Sequence, residues 1–158
     1  MNIVYEPLKK EDSEEFFRLV GDPRVAATMR FDCPRTLQES DRILADYMAP
    51  ENRSFALRFR PGEPLWGVFS FKEADEAGTV DLSQMQTPDQ WGHGYGKQVL
   101  MDMVALARKE KWYSALQCYI LESNTASCRL AEKGGFCQKA RHRFPGMTED
   151  LLVYQLVL

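Results

Sequence analysis

Trp91-Gly92-His93-Gly94-Tyr95-Gly96-Lys97 decides how this chain is read. Three glycines alternate there, directly after a strand-like run and directly before a long helical pattern. Glycine lets backbone N–H groups turn inward and approach a ligand closely. A helix N-terminus behind such a turn adds unpaired donors and the positive end of the helix dipole, so the stretch suits a phosphate group. Two familiar phosphate loops do not fit it. A dinucleotide fingerprint, G-x-G-x-x-G, needs its third glycine where Lys97 stands and belongs near the first strand of its unit. A Walker A loop needs glycine in place of Trp91 and Ser or Thr in place of Gln98. Without its surroundings, the stretch reads equally well as a turn that merely reverses the chain.

The surroundings supply a βαβ unit. Residues 79–86 alternate, with Val80, Leu82 and Gln84 on one face and Asp81, Ser83 and Met85 on the other. After the glycines, Tyr95, Val99, Met103 and Leu106 run beside Leu100, Val104 and Ala107, a wide apolar face of a helix buried against a sheet. Residues 115–121 form a mostly apolar strand. Strand, turn, helix and strand predict parallel neighbours.

Upstream, residues 3–8 read as a strand and residues 10–20 as an amphipathic helix stopped by Gly21-Asp22-Pro23. Thr36 is the expected N-cap of a second helix reaching about Met48, with Glu39 as its capping-box partner and Leu37, Ile43, Leu44 and Tyr47 buried. Strands follow at residues 55–59 and 66–71. Downstream, Ser123 or Asn124 caps a short helix whose main apolar residue is Leu130, and Gly134-Gly135 ends it. Strands at residues 136–141 and 151–158 close the chain.

With 158 residues, 44% hydrophobic and 27% charged, the chain fits one ordinary domain spanning residues 1–158. No run approaches the roughly 18 apolar residues of a membrane span, and no signal peptide is evident, so a cytoplasmic protein is expected. The net charge of −3 leaves too little basic excess for a nucleic-acid binder. Cys33, Cys118, Cys128 and Cys137 form no C-x-x-C pair and match no zinc spacing, so free, mostly buried thiols are expected and no metal.

A second motif sharpens the picture. Asn124-Thr125-Ala126-Ser127 is followed by Leu130-Ala131-Glu132-Lys133-Gly134-Gly135-Phe136. Together with W-G-H-G-Y-G this resembles the GCN5-related N-acetyltransferase (GNAT) superfamily, and within it the branch that includes ribosomal-protein alanine and serine N-acetyltransferases. The resemblance covers essentially the whole chain. It implies an α+β (mixed α/β) fold in the order β-α-α-β-β-β-α-β-α-β-β. A central mixed sheet of six to seven strands, flanked by about four helices, is splayed between the strands ending near Gln86 and Leu121. It implies acetyl-CoA as cosubstrate, without a metal. The backbone at Gln84, Met85 and Gln86 would pair with the pantetheine amides. The N–H groups of Trp91, Gly92, His93, Gly94, Tyr95 and Gly96 would hold the pyrophosphate. Lys97 and Lys133 are within possible reach of the phosphates, and Asn124 would bond the pantetheine arm unless it serves only as a cap. Ser127 would contact cofactor or donate a proton.

The implied reaction moves an acetyl group to a primary amine, on a protein N-terminus or a small molecule, by direct attack in a ternary complex. A protonated amine cannot attack, so a base is required. Asp81 matches the place where relatives often carry Glu, and Glu122 is the second candidate. Many members place a tyrosine before the E-K pair to protonate the leaving thiolate; here Ala131 stands there, leaving Ser127, another tyrosine or water. That departure keeps open a coenzyme-A-binding module without transferase activity, or a transferase using another acyl-CoA. Acceptor choice is expected from residues 21–35, with Arg24, Arg30, Asp32 and Arg35, in a monomer or homodimer.

Overall fold

The computed structural model describes residues 2–29 and 31–158, so Arg30 lies outside the described residues. The strands are β1 (Val4–Pro7), β2 (Asn52–Arg58), β3 (Gly67–Glu73), β4 (Thr79–Gln86), β5 (Ala115–Leu121), β6 (Cys137–His142) and β7 (Leu151–Val157), with branched or aromatic residues in each except β6. They build one seven-stranded mixed sheet in the order β1-β2-β3-β4-β5-β7-β6. Among the described residues five α-helices accompany it: α1 (Ser13–Val20), α2 (Pro23–Ala26), α3 (Leu37–Tyr47), α4 (Tyr95–Glu110) and α5 (Thr125–Lys133). The expected count of about four rises by one because Asp22 caps a single turn started by Pro23, its carboxylate accepting the Arg24 N–H at 2.9 Å.

The chain divides into two compact units: Met1–Lys72 with Ser83–Tyr95, and Glu73–Leu82 with Gly96–Leu158. In the first, β1 and β3 flank β2 antiparallel. Phe16, Leu19 and Val20 of α1 bury with Val25, Leu44, Tyr47, Val68 and Met85 in one cluster. Arg58, only 4% exposed, is held there by the carboxylates of Glu6, Asp12 and Glu15 and by the carbonyl of Glu63. The helix expected over residues 10–20 therefore begins as a 3-10 turn, Lys10–Asp12. Asp12 is turned inward to Arg58 and also accepts the Lys9 N–H at 3.1 Å.

In the second unit, β4 and β5 are parallel, as the βαβ reading predicts, in the register Thr79↔Ala115, Val80↔Leu116, Asp81↔Gln117. β5 pairs along its whole length with antiparallel β7, which in turn pairs with β6. Val99, Met103 and Ala107 of α4 are buried, as are Leu116 and Leu152.

Four local expectations are corrected. Glu39 bonds the N–H of Arg35 at 2.7 Å, not that of Thr36, although Thr36 caps α3 as predicted. Leu37 is 40% exposed, because the first turn of α3 projects past the packed face. In α5 the buried residues are Cys128 and Ala131, with Leu130 only half-buried. All four cysteines are free, yet only Cys128 is buried and Cys137 is exposed, lying on the outer strand β6.

Candidate functional site

The glycine turn begins from a pinned base. β4 ends at Gln86, a 3-10 turn covers Pro88–Gln90, and α4 starts at Tyr95. The Thr87 N–H donates to the Trp66 carbonyl at 2.8 Å. The Trp91 indole N–H donates to the Gln86 carbonyl at 2.9 Å. The Tyr95 ring packs 5.2 Å from Trp66 and 5.3 Å from Phe59, which stack on each other at 4.9 Å. Tyr95 is thus an anchor, while Trp91, Gly92, His93 and Gly94 stand exposed. The Trp66 indole N–H is buried without a hydrogen-bond partner among the described residues.

Gly92 and Gly94 both take left-handed backbone, φ 77° and 83°. The only non-glycine with positive φ among the described residues is Lys111, so His93 between them is not left-handed. Left-handed backbone is one component of the turns that form anion nests. A Cβ on Gly92 would meet nothing within 4 Å, so glycine is required there by conformation and not by space. The 16-residue α4 follows directly, with no acid in its first turn to oppose an anion.

The strand residues predicted beside the turn are close to it but more occupied than expected. Gln86 has its carbonyl taken by Trp91 and its side-chain amide on the Gln84 oxygen at 3.1 Å. Met85 is buried, and its carbonyl lies so near Gly67 that a Cβ there would sit 2.8 Å away.

In the second unit, Asp81 lies at the last β4–β5 pair. Its carboxylate accepts from Gln117 Nε2 at 2.7 Å, and the same nitrogen donates to the Tyr119 hydroxyl at 3.3 Å. All three line a cavity of about 290 Å³. Glu73, Asp75 and Glu76 also line it, as do Lys139 and His142. A bulge in β6 between Gln138 and Ala140 frees Lys139 from the ladder, and its ammonium reaches Glu76 at 3.2 Å. Cys118 as a whole is half-buried, but its thiol is shielded from solvent: that desolvation first, and then the negative charge of Asp81, push it up to about 12. It is therefore no thiolate nucleophile at neutral pH.

The α5 residues separate into roles. Asn124 Oδ1 accepts the Ser127 N–H at 3.3 Å, so Asn124 does cap the helix, and Ser127 is half-buried beside it. Glu122 is exposed and paired with Arg141 at 2.9 Å. Lys97 and Lys133 are exposed. Ala131 is buried, and the nearby Tyr154 hydroxyl donates to Glu132 at 3.1 Å. Burial, then contacts with Cys128 and Glu132, raise the Tyr154 phenol above its ordinary value. Arg24, expected to help choose the acceptor, is held by Asp22 at 2.8 Å.

Gln117 and Tyr119 escaped the sequence reading. Their signal was present, since they alternate with Leu116, Cys118 and Ile120 along β5. What was missing was the register that sets them beside Asp81. Among the described residues, no group of three or more His, Cys, Asp or Glu is arranged to hold a metal, and no helix is long and apolar enough to cross a membrane.

The acetyltransferase (GNAT) domain model matches residues 2–137. No curated protein is similar enough to count as a match. Among solved structures, a GNAT-family acetyltransferase from Bacillus anthracis superposes with TM-score 0.83 at 18% identity, covering 99% of this chain and 95% of that one. Spermidine N-acetyltransferase from Vibrio cholerae, in complex with CoA and spermine, gives 0.84 at 12% identity, covering 98% and 95%. An N-acetyltransferase from Staphylococcus aureus Mu50 gives 0.78 at 22% identity, covering 99% of both chains. At these identities the likeness is one of fold, but the domain match reaches across most of the chain: it belongs to the GNAT acetyltransferase family.

Proposed function

We propose that this protein is an acetyl-CoA-dependent N-acetyltransferase acting on a primary amine, on a peptide N-terminus or a small molecule. The observation that carries the reading is the pair of left-handed glycines, Gly92 and Gly94, directly ahead of α4. The residues fit the cosubstrate: the cradle offers N–H donors to a diphosphate without a metal. The N–H groups of Trp91 to Gly96 would hold the pyrophosphate, and the end of β4 at Gln84, Met85 and Gln86 would lie alongside the pantetheine. Acetyl-CoA supplies the acetyl group as an activated thioester.

Asp81 is the base. Donation from Gln117 keeps its carboxylate an acceptor, ready to take the ammonium proton of the acceptor before attack. Glu122 is the weaker candidate because Arg141 already engages it. The four carboxylates on the cavity favour a cationic acceptor. Direct attack needs no covalent enzyme intermediate, only the two reactants held together.

A second reading, coenzyme A binding without transfer, is motivated by Ala131, buried where relatives carry tyrosine. Calorimetric titration with acetyl-CoA, followed by thiol release over a panel of amines, separates the two. Binding with turnover is expected. Gly94→Val, which forces a branched residue into left-handed backbone, should weaken acetyl-CoA binding about tenfold or more. Binding without turnover on any amine would favour the second reading; no binding at all would sink both.

A further inference from the structure

We infer that Lys139 is itself an acetyl acceptor, modified at its side-chain nitrogen within its own chain, a reaction that rests on the transferase reading above. The starting point is strand register. Tyr119 of β5 pairs with Val153 of β7, and Val153 pairs with Ala140 of β6. These three residues form one cross-strand row, and all three line the cavity of about 290 Å³. Strict alternation would send the residue before Ala140 to the opposite face of the sheet. The β6 bulge between Gln138 and Ala140 cancels that alternation, so Lys139 and Ala140 line the cavity together.

The ammonium is carried inward from there. Lys139 stems from the outer strand β6, whereas Glu76, its partner at 3.2 Å, belongs to the turn between β3 and β4. In the sheet, β5 and β7 stand between β4 and β6. A pair joining those two sides passes over the strands between them, which supply Gln117, Tyr119 and Val153 to the cavity. Asp81, the base of the proposed reaction, lines the same cavity. The cavity thus already holds a primary amine, the group that the reaction acetylates. Its restraint is slight: the Lys139 and Glu76 side chains are 46% and 64% exposed, and so open an ion pair holds a flexible lysine weakly. An acceptor tethered to the site needs no binding step of its own.

The step balances with acetyl-CoA as the only co-reactant. Asp81 takes one proton from the Lys139 ammonium, and the neutral nitrogen bonds to the acetyl carbon. The carbon–sulfur bond breaks with its electron pair on sulfur. The second proton that the nitrogen sheds on becoming an amide goes to that sulfur, and Asp81 releases its own to water. The product is uncharged, no longer pairs with Glu76 and stays attached, so each chain reacts once.

The test follows each lysine separately. The full chain is incubated with acetyl-CoA carrying a deuterated acetyl group, without added amine, and peptides are read by mass spectrometry. Unlabelled acetyl is quantified first, so that only free Lys139 is scored. Label should enter Lys139 about tenfold or more faster than Lys10 and Lys109, which are exposed and do not line the cavity. The rate should not change with protein concentration, and the preference should vanish in urea, where the chain is unfolded. Asp81→Asn should slow Lys139 about tenfold or more and leave Lys10 and Lys109 as they were, with a melting curve to show that the variant is folded. Three results would each overturn the inference: Lys139 labelled no faster than the exposed lysines, a rate that rises with protein concentration, or undiminished labelling in folded Asp81→Asn. Acetylation of added amines alongside any of these would leave the transferase reading intact. No binding of acetyl-CoA would overturn both.

Discussion

Each of the two units buries polar groups, and they do so to opposite ends. In the first, Arg58 is saturated: three carboxylates and a carbonyl occupy its guanidinium. In the second, Gln117 is as deeply buried, but the groups it orients, Asp81 and Tyr119, open onto a cavity. Burial of a polar group is costly in both places. In the first the cost is offset by closed ion pairing, which ties β1 and α1 to β2. In the second it fixes the orientation of groups that still face space a substrate can enter. A closed network is a staple; a network with an open side is a candidate for chemistry.

The comparison breaks hardest at Arg58. Arg58→Met leaves three carboxylates without their cation, one of them, Asp12, almost fully buried. A loss of about 3–5 kcal/mol is expected, measured by denaturant unfolding. A loss under about 1 kcal/mol would mean that the cluster is no staple. The counterpart is Asp81→Asn, in which the Gln117 donor still meets an oxygen. Acetyl transfer should fall about 100-fold to 10,000-fold with the melting temperature nearly unchanged. The opposite pattern, full activity with lost stability, would make Asp81 a second staple and erase the contrast.

The smallest effect is expected at Glu149. Its carboxylate accepts the N–H and the hydroxyl of Ser123 at 2.8 and 3.0 Å. Those two bonds, the backbone one first, hold it below its ordinary 4.5. A lowered folded value means that the stabilising contribution is present above about that pH and disappears as pH falls through the folded value. Glu149→Gln should therefore melt slightly lower than wild type at neutral pH, and the two curves should converge in acid. A difference that persists in acid would remove this ion from the account.

Much of the architecture was legible in order along the chain. The alternation over residues 79–86 placed β4 at its observed limits, and the same held for β5. The turn before α4 was read as a donor cradle, and the left-handed glycines are consistent with that. Thr36 was read as a cap and Ser123 or Asn124 as another; Thr36 and Asn124 each accept the N–H three residues on. These features are local: a few neighbouring side chains set the backbone, and the pattern is written in consecutive residues. The thiols were harder to read, because a cysteine's exposure depends on which strand ends at the sheet edge.

What the sequence determined by itself is the succession of elements, the parallel βαβ unit and the place of the glycine turn ahead of the long helix. Only the tertiary structure decided the pairings between distant residues: Arg58 with Glu6, 52 positions away, and Gln117 with Asp81, 36 positions away. The physical reason is register. A shift of one residue in the β4–β5 pairing would carry Gln117 to the other face of the sheet, away from Asp81, without altering a single local preference.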